Sequence, residues 1–254
     1  MRRLLFALLL ILVAPPAFAQ AAAPTAMADA LSAFRALGQG DWTLAEAFAT
    51  KALNAGTLAT GDQAAVYGYR GDARRHLDKH QEAIDDYSKA ISIGLPAQFA
   101  ARVFNARGLA LVELREMDLA VQDYTRAIQL DPTFAEAFNN RGSVFLLLDD
   151  YDRALADHTQ AIRINPNNNR AFNNRGQVYL RLQFWEEAVE DFTTAIDLAP
   201  SEREAVIALF NRGRAWEGLG EDAEARADFE LAHDLAPDDP DYREKFIEYG
   251  FIRP

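Results

Sequence analysis

The chain has 254 residues, half of them apolar, with a formal net charge of −12 and no cysteine. An acidic chain lacks the cationic surface that nucleic acid demands, so that partner class is not expected. The missing thiol excludes disulfides, cysteine-based metal sites and thiol catalysis, and the dominance of Ala, Leu, Glu, Asp and Arg favours helix over strand.

The first element is a targeting signal. Arg2-Arg3 precede an uninterrupted apolar run from Leu4 to Ala14, which Pro15-Pro16 break; Ala17-Phe18-Ala19 then stand before Gln20. That order is a secretory signal peptide, with small residues where the peptidase reads. The apolar run is 11 residues, and a helix needs about 20 to cross a bilayer. Residues 1–19 are expected to be removed after Ala19, and residues 20–27 to form a disordered leader. With no cysteine at the cut, no lipid can be attached there. The mature chain from Gln20, with its repeat region over 28–254, is thus expected without a membrane anchor, in the periplasm of a Gram-negative bacterium.

A repeat governs the rest of the chain. Arg-Gly pairs recur at Arg70-Gly71, Arg107-Gly108, Arg141-Gly142, Arg175-Gly176 and Arg212-Gly213, with glycines 37, 34, 34 and 37 residues apart. Twelve residues after each glycine stands an alanine (Ala83, Ala120, Ala154, Ala188, Ala225), and seven further on another (Ala90, Ala127, Ala161, Ala195, Ala232). Prolines close four units, at Pro132, Pro166, Pro200 and Pro237. A fixed period with small-residue landmarks is the signature of a solenoid, and 34 residues is the tetratricopeptide period.

The chain therefore resembles the tetratricopeptide repeat family over about residues 26–239. The resemblance implies an all-α fold: an α-solenoid, wound as a right-handed superhelix, of about six helical hairpins. The units are read as 26–60, 64–97, 101–134, 135–168, 169–202 and 206–239. The first is degenerate, keeping Ala45, Ala52 and a Gly40-Asp41-Trp42 turn but having Ala33 where the others have glycine. Short helices are marginal alone, so each hairpin must pack on its neighbours. Large residues (Tyr67, Phe104, Phe138, Phe172, Leu209 and Tyr87, Tyr124, His158, Phe192, Phe229) fill the space beside the small ones. An amphipathic stretch over 240–251 reads as a capping helix. Each spacing of 37 places its three extra residues at a junction, near Gly94-Leu95-Pro96 and Ser201–Ala205, where the superhelix should change locally.

Each arginine of an Arg-Gly pair is followed 16 residues later by aspartate: Arg70 and Asp86, Arg107 and Asp123, Arg141 and Asp157, Arg175 and Asp191, Arg212 and Asp228. Two arrangements are open, a repeated bidentate salt bridge across each hairpin or charges that merely solvate two helix faces. In the family the first helix of each unit lines a concave groove. By that resemblance Asn105, Asn139, Asn140, Asn173, Asn174 and Asn211 point into it, joined by Arg102, Arg170, Arg181 and Arg214. A row of carboxamides, each both donor and acceptor, could grip the main chain of an extended peptide, as in the asparagine ladder of O-linked N-acetylglucosamine transferases. The alternative is that these asparagines bond neighbouring helices. The family's carboxylate clamp for acidic C-terminal tails is matched only by Asn140 and, conservatively, Arg170.

No phosphate loop, HExxH or GxSxG occurs, so neither catalysis nor a cofactor is expected. His76 and His80 are four apart and could share a helix face, but without a third ligand they do not make a metal site. The expected function is a non-catalytic scaffold or adaptor that binds a protein or peptide segment in its groove. Two alternatives are a self-associating module of the cell envelope, a homo-oligomer docked through Phe246, Tyr249 and Phe251, and a carrier of a small polar ligand.

Overall fold

The computed structural model describes residues 24–253; the signal segment 1–19 lies outside them. The described residues form two units, which divide at Leu95 and Pro96. The first holds α1 (Pro24–Gln39), α2 (Trp42–Asn54), α3 (Thr60–His76) and α4 (His80–Ile93). The second holds α5 (Ala97–Glu113), α6 (Met117–Leu130), α7 (Ala135–Leu147), α8 (Tyr151–Ile164), α9 (Asn169–Leu182), α10 (Trp185–Asp197), α11 (Glu202–Leu219), α12 (Asp222–Leu235) and α13 (Arg243–Glu248). The architecture is all-α. Helices pair in sequence as hairpins, and within the second unit the first helices adjoin in the order α5, α7, α9, α11.

One turn recurs in all six hairpins. Gly40, Asp78, Arg115, Asp149, Gln183 and Gly220 each adopt positive φ, between 56° and 79°. The amide that follows bonds back to a carbonyl five residues earlier, as in Asp41 N to Ala36 O and Phe184 N to Tyr179 O. This closes the first helix with a left-handed residue and satisfies carbonyls that the helix end leaves open. Only the two outermost turns use glycine; the other four hold side chains in a conformation that disfavours them.

The landmark glycines have a steric cause. A Cβ on Gly71, Gly108, Gly142, Gly176 or Gly213 would stand 2.7–2.9 Å from the ring of Tyr87, Tyr124, His158, Phe192 or Phe229 respectively. Each ring packs against the bare glycine backbone and is almost wholly buried. The alanines of the second helices are likewise buried, which lets the helix axes approach.

Four expectations change. Pro24–Met27, read as the end of a disordered leader, open α1; Ala26 is buried and Met27 packs on the first core cluster. The cap is shorter than 240–251, because Asp239 to Tyr242 form a turn (Tyr242 N to Asp239 O, 3.3 Å) and Gly250 at φ 78° ends the segment. Phe246 is fully buried and so cannot dock a second copy as expected, while Tyr249 and Phe251 pack beside it on the last hairpin and stay half-buried. His76 ends α3 and stacks on Trp42 at 3.9 Å, whereas His80 starts α4, so the two share no helix face.

Candidate binding groove

The Arg–Asp pairs hold each hairpin together. Arg70 meets Asp86 through Nε (2.8 Å) and Nη2 (2.7 Å), and Arg107, Arg141, Arg175 and Arg212 repeat this fork on Asp123, Asp157, Asp191 and Asp228 at 2.7–2.8 Å. The aspartates are buried. Burial pushes the Asp191 carboxyl above its usual range against the pull of the Arg175 hydrogen bonds, while those same bonds push the Arg175 guanidinium up. The carboxylate is tolerated inside because the planar guanidinium answers both of its oxygens. A third partner was missed from the sequence: Nη1 of Arg70, Arg141, Arg175 and Arg212 donates to Thr50, Thr125, Thr159 and Thr193 on the preceding hairpin. The signal was present, since each threonine stands two residues after the aspartate position of its own unit. The first hairpin has no such fork and instead pairs Lys51 with Asp29 at 2.9 Å.

The asparagines lie on the shared face of α5, α7, α9 and α11, and they bond to one another. Asn140 Nδ2 donates to Asn105 Oδ1 (2.9 Å), Asn174 Nδ2 to Asn139 Oδ1 (3.2 Å), and Asn211 Nδ2 to Asn173 Oδ1 (3.5 Å). Asn174 Nδ2 also reaches Ser143 Oγ at 3.1 Å. Asn139 is buried, and its Oδ1 also meets His158 Nδ1 at 3.1 Å. Asn139 is thus an internal strut, not a groove contact. The other asparagines are half-buried. A carboxamide has four hydrogen-bonding positions, so one such bond, or two for Asn174, leaves each with donors or acceptors still to offer.

The arginines divide. Arg170 Nη2 is 3.3 Å from Glu204 Oε1, and Asn169 Nδ2 donates to Glu204 Oε2 at 2.7 Å. Glu204 sits in the first turn of α11, where the three extra residues of that repeat have become helix, so α11 has 18 residues against 14 in α9. The added turn carries a carboxylate onto the start of α9, where it pairs with the exposed Arg170. Arg102, Arg181 and Arg214 are exposed. Arg181 and Arg214 line one pocket of about 350 Å³ between α9, α10 and α11, together with Asn211. Its floor is Trp185, whose ring lies where a Cβ on Gly218 would be, 2.5 Å from Cδ2. Neither Trp185 nor Gly218 was singled out from the sequence.

Comparison with known proteins agrees with this architecture. Family models described as tetratricopeptide repeat match residues 173–240 and 135–168, and one described as TPR repeat matches residues 108–149, together just over half of the chain. No curated protein matches the sequence. Among solved structures, MamA protein is 24% identical, with a TM-score of 0.58 over 75% of this chain and 97% of its own. YrrB, described as a TPR protein with an unusual peptide-binding site, is 26% identical, with a TM-score of 0.56 over 72% of this chain and 91% of its own. PilF of Pseudomonas aeruginosa is 19% identical, with a TM-score of 0.71 over 88% and 97%. Repeat period, buried ring-on-glycine packing and family models converge: the chain belongs to the tetratricopeptide repeat family.

Proposed function

We propose that this chain is a non-catalytic adaptor, exported to the periplasm, that holds an extended segment of another protein along α5, α7, α9 and α11. The observation that carries the reading is the asparagine ladder. Its rungs at Asn105–Asn140 and Asn173–Asn211 tie neighbouring helices and still present unused amide groups at the spacing of the repeat. A face with polar main-chain-like partners and few net charges suits a peptide backbone, which offers one donor and one acceptor at nearly every residue. The peptide-binding site named for YrrB supports the same class of ligand. Export rests on residues 1–19 and their likeness to a signal peptide.

The test is capture by cross-linking from the compartment the chain reaches. The double variant Asn140→Ala, Asn174→Ala should keep its helical spectrum and lose most of the captured protein. Full capture by a folded double variant would refute the groove.

A further inference from the structure

The pocket between α9, α10 and α11 has a charge pattern that its surroundings do not explain. The chain is acidic overall, yet two arginines, Arg181 and Arg214, face one small volume. Among the described residues neither is ion-paired, in contrast to Arg170 with Glu204 and Arg212 with Asp228. One carboxylate does line the pocket, that of Glu217, and one of its oxygens is engaged by the cap. Glu217 Oε1 accepts from Lys245 Nζ at 2.8 Å and from the Tyr249 hydroxyl at 2.9 Å, both in the C-terminal cap. Lys245 is shared with Glu248 at 2.8 Å, so the cap closes its own charges into a network. Among the described residues the two arginines therefore face the pocket with no ion-pair partner, beside one carboxylate already bonded to the cap.

We propose that this pocket is a carboxylate subsite, in which Arg181 and Arg214 hold an acidic group carried by the bound segment. The proposal rests on the peptide reading of the groove and names one chemical group within it. Guanidinium forks match carboxylates in plane and spacing. Gln177 and Asn211 stand beside them with carboxamides suited to the adjoining main chain. Asn211 also joins the ladder through Asn173, so the pocket continues the asparagine face. Trp185 gives the pocket a rigid apolar floor, because Gly218 lets the indole lie against α11. These residues are not those matched to the family's carboxylate clamp. The carboxylate could be an aspartate or glutamate side chain or the C-terminus of the segment.

The experiment uses the full chain and three five-residue probes, followed through the Trp185 indole N–H and the side-chain amides of Asn140 and Asn174 by NMR. One probe, acetyl-Gly-Ser-Glu-Ser-Gly-amide, carries a side-chain carboxylate. The second replaces Glu by Gln and leaves the C-terminus free. The third has Gln and a C-terminal amide, and is neutral. The expected result is a saturable shift of the Trp185 signal with one or both charged probes, and none with the neutral one. Which charged probe succeeds identifies the source of the carboxylate. Arg181→Ala and Arg214→Ala, both at exposed side chains, should each weaken that shift roughly tenfold. Gly218→Ala, which displaces the indole without removing charge, should abolish it. An equal response to the neutral probe, or shifts unchanged in both arginine variants, overturns the subsite. If the Asn140 and Asn174 amides move with all three probes while Trp185 ignores charge, the subsite fails and the groove stands. If none of these signals moves, both fail.

Discussion

Replacing His158 with phenylalanine probes the packing rule of the repeat at its one exception. In the other four Arg-Gly units the ring on the glycine is Tyr or Phe; here it is imidazole, fully buried against Gly142. Nδ1 meets Asn139 at 3.1 Å and Nε2 has no hydrogen-bond partner. Burial first, and the nearby charge of Arg175 second, pull the imidazole down to about 3 from the ordinary 6.5. The folded chain therefore refuses a proton that the unfolded chain accepts below pH 6.5. The neutral-imidazole advantage is whole above that pH and drains away as pH falls toward 3. Each unit of pH costs about 1.4 kcal/mol, so at pH 5 the folded state has lost about 2 kcal/mol through this residue.

Phenylalanine removes the effect. At pH 7 the exchange forfeits one hydrogen bond, worth about 1 kcal/mol, and relieves an orphaned buried nitrogen that costs about 1–3 kcal/mol. Asn139 keeps its bond from Asn174. His158→Phe should thus be neutral or slightly stabilising at pH 7, and more stable than the parent by about a further 2 kcal/mol at pH 5. Urea unfolding of both proteins at the two pH values measures this. The other titrating groups are common to both and cancel in the double difference. Equal pH dependence in the two proteins would refute the reasoning, because it would mean that the folded state can protonate His158.

Four other outcomes are expected from the same structure. Arg141→Met strands the buried carboxylate of Asp157 and should destabilise by about 3 kcal/mol, more than Arg141→Met combined with Asp157→Leu, as read by denaturant midpoint. Gly176→Ala places a Cβ about 2.8 Å from Phe192 and should cost about 1–3 kcal/mol, seen as a lowered Tm. Gln183→Gly relieves a left-handed residue at φ 61° and should raise stability by roughly 0.5–1 kcal/mol, with no change in helix content by circular dichroism. The intact mass of chain recovered after export should begin at Gln20; a mass that retains residues 1–19 would remove the basis for a periplasmic location.

How far the sequence could be read depends on the length scale of each interaction. Period, helix class and the Arg–Asp spacing were legible because they sit within one hairpin, while the structure decided that each pair closes as a fork. A first helix, a short turn and a second helix bring residues 16 apart face to face, and five repetitions in one chain make the pairing visible. The need for glycine opposite Tyr87 or Phe192 belongs to the same local geometry. The asparagines were legible as a row, yet two roles stayed open for them. Their donors and acceptors meet across successive repeats, 35 residues apart for Asn140 and Asn105, and no pattern within one unit tells which amide faces which. Tertiary structure decided that Asn139 is a strut beneath His158, that an added turn of α11 pairs Glu204 with Arg170, and that Lys245 and Tyr249 bond to Glu217 at the edge of the pocket it lines. The sequence by itself determined a stack of helical hairpins, since that stems from short-range periodicity and side-chain size. Which of its polar groups remain unspent for a partner was decided only by packing, since a charge or amide is available only if no other part of the chain has already satisfied it.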